Sequence, residues 1–252
     1  MSTSTPAVSA PPKTALDHFD AVAADYDSST GGCTREVAEK VISDLLPGIN
    51  SDSVILDNAS GTGIVIDVLL KQLSGGAVKP AIHGVDGAPK MVEIAASRVS
   101  GQDNVKTAVM PGESLDFAEE TFTHSITNMG ILFFSDATKG AREIYRTLKP
   151  GGVAVVTAWQ DLGYPRVIRA VQGDIRPGDT PFELPLPKQW FDPEHTRTVL
   201  TESGFGDVKL ESSVAHWAAD SADDLADDLI KMSDGSKAIG IEMKSIIAVA
   251  YK

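Results

Sequence analysis

The chain is poor in positive charge. Lys and Arg number 22 against 35 Asp and Glu, leaving a formal net charge of -13 over 252 residues. Binding to a phosphate backbone rests on clustered Lys and Arg, so DNA and RNA are poor candidates for the main partner. One cysteine, Cys33, excludes an internal disulfide and fits a reducing cytosol, so a cytoplasmic location is expected. No apolar run is long enough to span a bilayer, and no secretory leader is recognisable at the N-terminus. Aromatic residues make up only 6% of the chain, yet the hydrophobic share is 42%, enough for a sizeable core in one domain.

What is present centres on residues Val54 to Gly63, which read VILDNASGTG. A short β-branched run stops at an acidic residue and opens into small side chains, the pattern of a buried strand, a tight turn and a helix. Ala59, Ser60, Gly61 and Gly63 would let a ligand lie against backbone amides at the carboxyl edge of a sheet. The dinucleotide fingerprint Gly-x-Gly-x-x-Gly fails, because Ile66 stands where the third glycine belongs.

The remaining segments read in order as an α/β alternation. Residues 1–14 are Ser, Thr, Pro and Ala with one charge, a disordered tail by composition, and the domain is expected over 15–252. Phe19, Val22, Ala23 and Tyr26 recur at helical spacing, and a second helix runs from Thr34 to Leu46. Strands follow at Ala81–Asp86, 105–110, 123–128 and 153–159, with a helix before the Leu148-Lys-Pro-Gly-Gly152 turn. Residues 161–190 are proline-rich and read as a long loop carrying Tyr164, Phe182 and Trp190. A helix at 195–203, a strand starting at 206 and a closing strand at 245–251 complete the pattern. Asp223, Asp224, Asp227 and Asp228 lie at helical spacing with no His beside them, a solvated face rather than a metal site.

The acidic end of the first strand with its small-residue turn resembles the Asp/Glu-x-Gly-x-Gly-x-Gly motif of class I S-adenosylmethionine (SAM) dependent methyltransferases, with Ala59 in the first Gly place. Asp86, Gly87 and Met91 resemble that family's Asp-x-Ser-x-x-Met, and the Phe19 to Asp27 segment resembles its Phe-Asp-x-x-Ala-x-x-Tyr-Asp. The Leu-Lys-Pro-Gly-Gly turn and two closing strands add to the likeness.

The resemblance implies a Rossmann-like seven-stranded methyltransferase sheet with helices on both faces and an antiparallel last strand. It implies SAM as cofactor and S-adenosylhomocysteine as product. Asp57 and the turn residues would cradle the cofactor, Asp86 would accept the ribose hydroxyls, and Met91 would back the adenine unless it is core filler. Tyr26 would approach the methionine carboxylate or else only dock its helix. Asn128 and Met129 would face the methionine half. Pro111 stands where the family places an adenine-binding Asp, leaving Gly112, Glu113 and Ser114 for that end of the cofactor, with Glu113 otherwise a surface charge.

Trp159, Tyr164, Phe182 and Trp190 would line a pocket for a small hydrophobic acceptor, or simply pack the loop down. No histidine pair offers a general base; of the five histidines, His18 on the covering helix is the candidate. A narrower likeness is to fungal small-molecule methyltransferases of the gliotoxin thiol S-methyltransferase type, carried by residues 56–63, 158–160 and 204–209. The stretch from Ser233 to Lys244 is shorter than in that type, so the acceptor stays open among O, N and S nucleophiles of secondary metabolites. The partner expected is a small molecule, with no nucleic acid and no membrane, and the assembly a monomer or homodimer. A SAM-binding protein of the same fold with a regulatory or non-methylating role is the alternative reading.

Overall fold

In the computed structural model, residues 14–184, 186–218 and 240–252 are described. The 1–13 part of the tail, the acidic helix expected at 221–232 and the 233–239 stretch lie outside them.

Seven strands form one sheet in the order β3-β2-β1-β4-β5-β7-β6. β1 (Val54–Asn58) and β4 (Phe122–Thr127) sit centrally and pair in parallel, with Leu56 opposite Ser125. β2 (Ala81–Asp86) and β3 (Val105–Val109) extend the parallel sheet on one side, and β5 (Leu148–Asp161) on the other. β7 (Gly240–Tyr251) runs antiparallel to β5 and to the edge strand β6 (Asp207–Ala218). The resemblance's fold therefore holds, including the inserted antiparallel strand.

Both sheet faces are covered, which is why residues 54–56 of β1 and 153–156 of β5 read as continuous apolar runs. Ile55, Ile82, Ile126, Val153, Val155 and Ile247 pack against α3 (Cys33–Lys40) and α4 (Ile64–Gln72). Leu56, Ala154, Val156, Ile246 and Ala248 face α6 (Ala137–Thr147) and α8 (Pro193–Thr201). Ile66, fully buried on α4, explains the broken dinucleotide fingerprint. A Cβ on Gly84 of β2 would lie 2.6 Å from Ile66 Cδ1. The glycine that permits close helix-to-strand approach has moved from the helix to the strand, and burying Ile66 there contributes about 1.5–3 kcal/mol.

Two expectations change. The Lys149 to Gly152 turn is drawn into β5, because Gly151 N donates to Lys252 O (2.8 Å) and Lys252 N to Gly152 O (3.1 Å). The 161–190 stretch is not one long loop: α7 (Tyr164–Ile175) occupies its first half, with Pro165 in the first turn, where a missing N–H costs nothing. Val167, Ile168 and Tyr164 give α7 an apolar side that meets Ile241 and Trp217.

The N-terminal helices lie over the carboxyl edge of the sheet. α1 (Ala15–Val22) begins at Thr14, whose side chain accepts from Asp17 N, and α2 (Tyr26–Ser29) follows after one 3-10 turn. Ala23 packs with Ala88, which caps α5 (Pro89–Arg98), and with Met91 in its first turn.

Candidate functional site

Two turns at adjacent strand ends are tied by one carboxylate. Asp86 accepts from Gly61 N (2.9 Å) and Ala88 N (2.8 Å), and Ser60 N donates to Val85 O (2.9 Å). Burial raises the Asp86 carboxyl above the ordinary carboxylate range, against the two amides that lower it. Gly61 and Gly63 are in the left-handed region (φ +54° and +83°), and Gly61 has open space where a Cβ would stand. At Gly63 a Cβ would come within 3.2 Å of Ala95 of α5, so this glycine serves helix packing.

A cavity of about 470 Å³ opens above these turns. Tyr26, Ala59, Gly61, Asp86, Gly87 and Met91 line one side of it. Gly112, Glu113, Asn128 and Met129 line the other. These ten expected residues are therefore brought together. Asp57, Ser60, Gly63 and Ser114 are not on the lining: the first three belong to the strand and turn beneath it, and Ser114 is exposed.

Asp57 is fully buried and neither carboxylate oxygen has a hydrogen-bond partner among the described residues. Desolvation first, and then the nearby Asp86, push its carboxyl well above the usual range, so it favours the neutral form. Glu113 reaches the cavity but spends Oε1 on Ser135 N (2.6 Å), Ser135 Oγ (2.7 Å) and Asp136 N (3.2 Å), locking the loop ahead of α6. Asn128 is also committed: Nδ2 donates to Thr34 O (3.1 Å) and Oδ1 accepts from Thr157 Oγ1 (2.8 Å). Ala59 and Met129 both have positive φ, 58° and 55°, a conformation that costs non-glycine residues energy and collects at functional sites.

A smaller cavity of about 180 Å³ adjoins the first. Trp159 and Tyr164 line it, as expected, together with Cys33, Thr34, Trp217 and Met243. Tyr164 and Trp217 meet edge to face with centroids 4.9 Å apart. Burial pushes the Cys33 thiol up to about 12 and raises the Tyr164 and Tyr26 phenols. All three are neutral at physiological pH.

Phe182 and Trp190 line neither of these cavities. Trp190 is a core residue at 5% exposure that packs on His195. Phe182 folds back on α7, its N–H donating to Gln172 Oε1 (2.8 Å) and its C=O accepting from Arg169 Nε (2.9 Å). His18 is exposed and also off both linings, its ring turned to Phe19 at 5.4 Å.

Residues missed at the site include Leu16, Phe133 and Phe134. The run Ile131 to Phe134 directly after the β4 turn was the available signal, since apolar rings at a sheet's carboxyl edge have a ligand or a core to cover. Phe134 packs so closely that a Cβ on Gly112 would stand 2.2 Å from its ring. Trp217 and Met243 had no such signal: Trp217 lies near the far end of β6, whose extent the sequence left open, and Met243 precedes the expected start of β7 at 245.

Among the described residues no group of three His, Cys, Asp or Glu could hold a metal ion, and no helix is long and apolar enough to cross a membrane.

Residues 55–152 match the family model described as a methyltransferase domain. A ubiquinone/menaquinone biosynthesis C-methyltransferase UbiE from Geotalea daltonii is 37% identical over 40% of this chain and 43% of its own. The methyltransferase ucsB of Acremonium sp. is 27% identical over 62% of this chain and 57% of its own. The chain thus spans about half the length of the curated relatives it matches. Among solved structures, a SAM-dependent methyltransferase of Thermotoga maritima, titled a possible histamine N-methyltransferase, shares the fold. Its TM-score is 0.59 at 19% identity, over 93% of this chain and 98% of that one. Over residues 55–152 the chain is thus similar to methyltransferase domains, and the solved neighbour shares its fold.

Proposed function

We propose that the larger cavity holds SAM, and that the protein transfers its methyl group to a small, apolar acceptor in the smaller one. One observation carries this reading. Phe19, Tyr26, Met129 and Phe133 line both cavities, so a donor in one and an acceptor in the other would meet across a shared apolar collar.

The cavity suits the cofactor. Asp86 offers a carboxylate for the ribose hydroxyls, and Gly61 leaves room for close approach to the backbone. Met91, Gly112 and Phe134 would enclose the adenine, with Pro111 contributing no side-chain acceptor. Tyr26, Asn128 and Met129 would stand at the methionine end. Bound SAM supplies a methyl group already activated on a sulfonium. What the chain supplies is geometry: a fixed approach line is worth up to about 7–11 kcal/mol of the barrier.

Trp159 and Tyr164 are the acceptor-side residues. Among the described residues the smaller cavity is lined by no carboxylate or imidazole, and His18 lies away from it. An acceptor that needs no side-chain base, such as a thiol, an amine or an activated carbon, fits that lining. The UbiE relatives add carbon to the expected O, N and S, while the likeness to ucsB of Acremonium sp. supports the fungal-type reading. A small-molecule partner, the cytoplasm and a monomeric or homodimeric state belong to the same proposal.

The test is calorimetric titration with S-adenosylhomocysteine, with NAD as control. Micromolar binding of S-adenosylhomocysteine alone is expected, and Asp86→Ala should weaken it by about tenfold or more through the lost charge-assisted bonds. Binding of NAD instead would overturn the proposal. With binding established, a panel of apolar thiols, amines and phenols identifies the acceptor atom.

A further inference from the structure

We infer that Asp27 is a positioning residue that couples the N-terminal cap to the glycine turn, so that the acceptor wall and the donor site close as one unit. The inference rests on the proposed function.

α1 contributes no fully buried residue; Phe19 packs partly buried on Ala88 and Met91, and Asp20 accepts from Lys90 N (2.8 Å) and lies 3.7 Å from Lys90 Nζ. Tyr26, next in the chain to Asp27, lines both cavities, as Phe19 of α1 does. The position of the cap therefore bears on where donor and acceptor meet.

Asp27 sets that position through two bonds. Its Oδ1 accepts from Thr62 Oγ1 (2.5 Å), and its Oδ2 pairs with Arg98 at the end of α5. Thr62 is only 2% exposed and stands between Gly61 and Gly63. Gly61 in turn donates its N–H to Asp86. A continuous chain of contacts thus runs from Tyr26 through Asp27, Thr62 and Gly61 to Asp86. A ligand that orders the turn and Asp86 also orders Tyr26. Charge-assisted bonds in a part-buried setting are of the stronger kind, and losing Asp27 leaves a buried hydroxyl without its acceptor.

The experiment compares wild type, Asp27→Ala, Asp27→Asn and Thr62→Val by S-adenosylhomocysteine titration and by hydrogen exchange with and without that ligand. In the wild type the ligand should slow exchange both at residues 59–63 and at residues 15–30. In Asp27→Ala the protection at 59–63 should persist while that at 15–30 is lost, and affinity should fall about tenfold. Asp27→Asn keeps an acceptor for Thr62 but loses the charge facing Arg98, so an intermediate loss is expected. Thr62→Val guards against an Asp27 variant that does not fold and should uncouple the cap in the same way. With an acceptor in hand, kcat should fall as well as KM rise. Undiminished cap protection in both Asp27→Ala and Thr62→Val, with affinity within twofold of wild type, would overturn the inference while leaving the function intact. A wild type that binds no S-adenosylhomocysteine would overturn the function and the inference with it.

Discussion

The two cavities are built in different ways. The larger stands on backbone: turns at the ends of β1, β2 and β4, two glycines with positive φ and one carboxylate bridging two amides. The smaller is built from side chains that meet from α2, α3, β5, α7, β6 and β7, with Cys33, Trp159, Tyr164, Trp217 and Met243 brought together from across the chain. A backbone site depends on a few local conformations and tolerates little change. A side-chain site can be rebuilt one residue at a time, which suits a shared cofactor and a variable acceptor.

The largest effect should come from attacking the backbone site. Gly61→Val places a branched side chain in the open space over the turn, at a φ of +54°. We expect S-adenosylhomocysteine affinity to fall by roughly 100-fold, about 2.8 kcal/mol, since the side chain fills the space through which a ligand approaches the backbone. Thermal unfolding should show a loss of about 1–2 kcal/mol from backbone strain. Tyr164→Ala attacks the other site. It removes the ring that meets Trp217, so acceptor KM should rise by roughly tenfold while S-adenosylhomocysteine affinity stays within about twofold. Equal damage to both ligands by Tyr164→Ala would dissolve the distinction between the cavities.

That distinction also explains what could be read in the sequence. The β1 turn and the acidic end of β2 are visible because glycine, small residues and a terminal carboxylate mark a backbone conformation at fixed local spacing. The strands were marked by their apolar runs and turns, whereas the seven-stranded sheet with its antiparallel last strand came from the family resemblance. Trp159 and Tyr164 were legible as rings at a strand's carboxyl edge, but Trp190 carries the same signal and faces the core beside His195. Which face a ring takes depends on the helix it sits near, and α7 was hidden by the prolines around it. Trp217 reaches the cavity because β6 pairs with β7 as far as Ala218, a tertiary property that local pattern does not encode.

Two acidic residues at neighbouring strand ends sharpen the comparison within the backbone site. Asp86 reaches the cavity, whereas Asp57 lies beneath it with no hydrogen-bond partner on either oxygen. Asp57→Asn removes a buried group whose ionisation the fold opposes. The folded-state pKa of Asp57 is raised, so the native state holds its proton more tightly than the unfolded chain does. Stability therefore falls as pH rises above the unfolded value of 3.8 toward the raised folded one. Denaturant melts at several pH values should show the Asn variant gaining over wild type as pH increases through that window, by about 1 kcal/mol or more at neutral pH. S-adenosylhomocysteine affinity should change by less than about threefold, well below the effect of Asp86→Ala. A collapse of binding in Asp57→Asn would mean that the carboxyl beneath the turn is as much a part of the cofactor site as Asp86.

The smallest effect concerns Ala59, the one glycine position of the family motif that this chain does not fill with glycine. With φ at 58°, alanine carries about 1–2 kcal/mol of strain there. Ala59→Gly relieves it, but glycine loses more backbone freedom on folding, worth about 0.5–1 kcal/mol. The methyl group is also packed: a Cβ on Gly130 would stand 2.5 Å from the Ala59 Cβ, so the β4 turn closes directly over it. Removing that methyl forfeits about 0.8 kcal/mol of burial. These terms nearly cancel, and the melting midpoint should move by less than about 1 kcal/mol equivalent. The alanine is then no sign of a decayed cofactor site, because its strain is offset by the contact it makes with the neighbouring turn. A gain well above that figure, with tighter S-adenosylhomocysteine binding, would instead show that the backbone site has drifted from its optimum while the side-chain site was free to change.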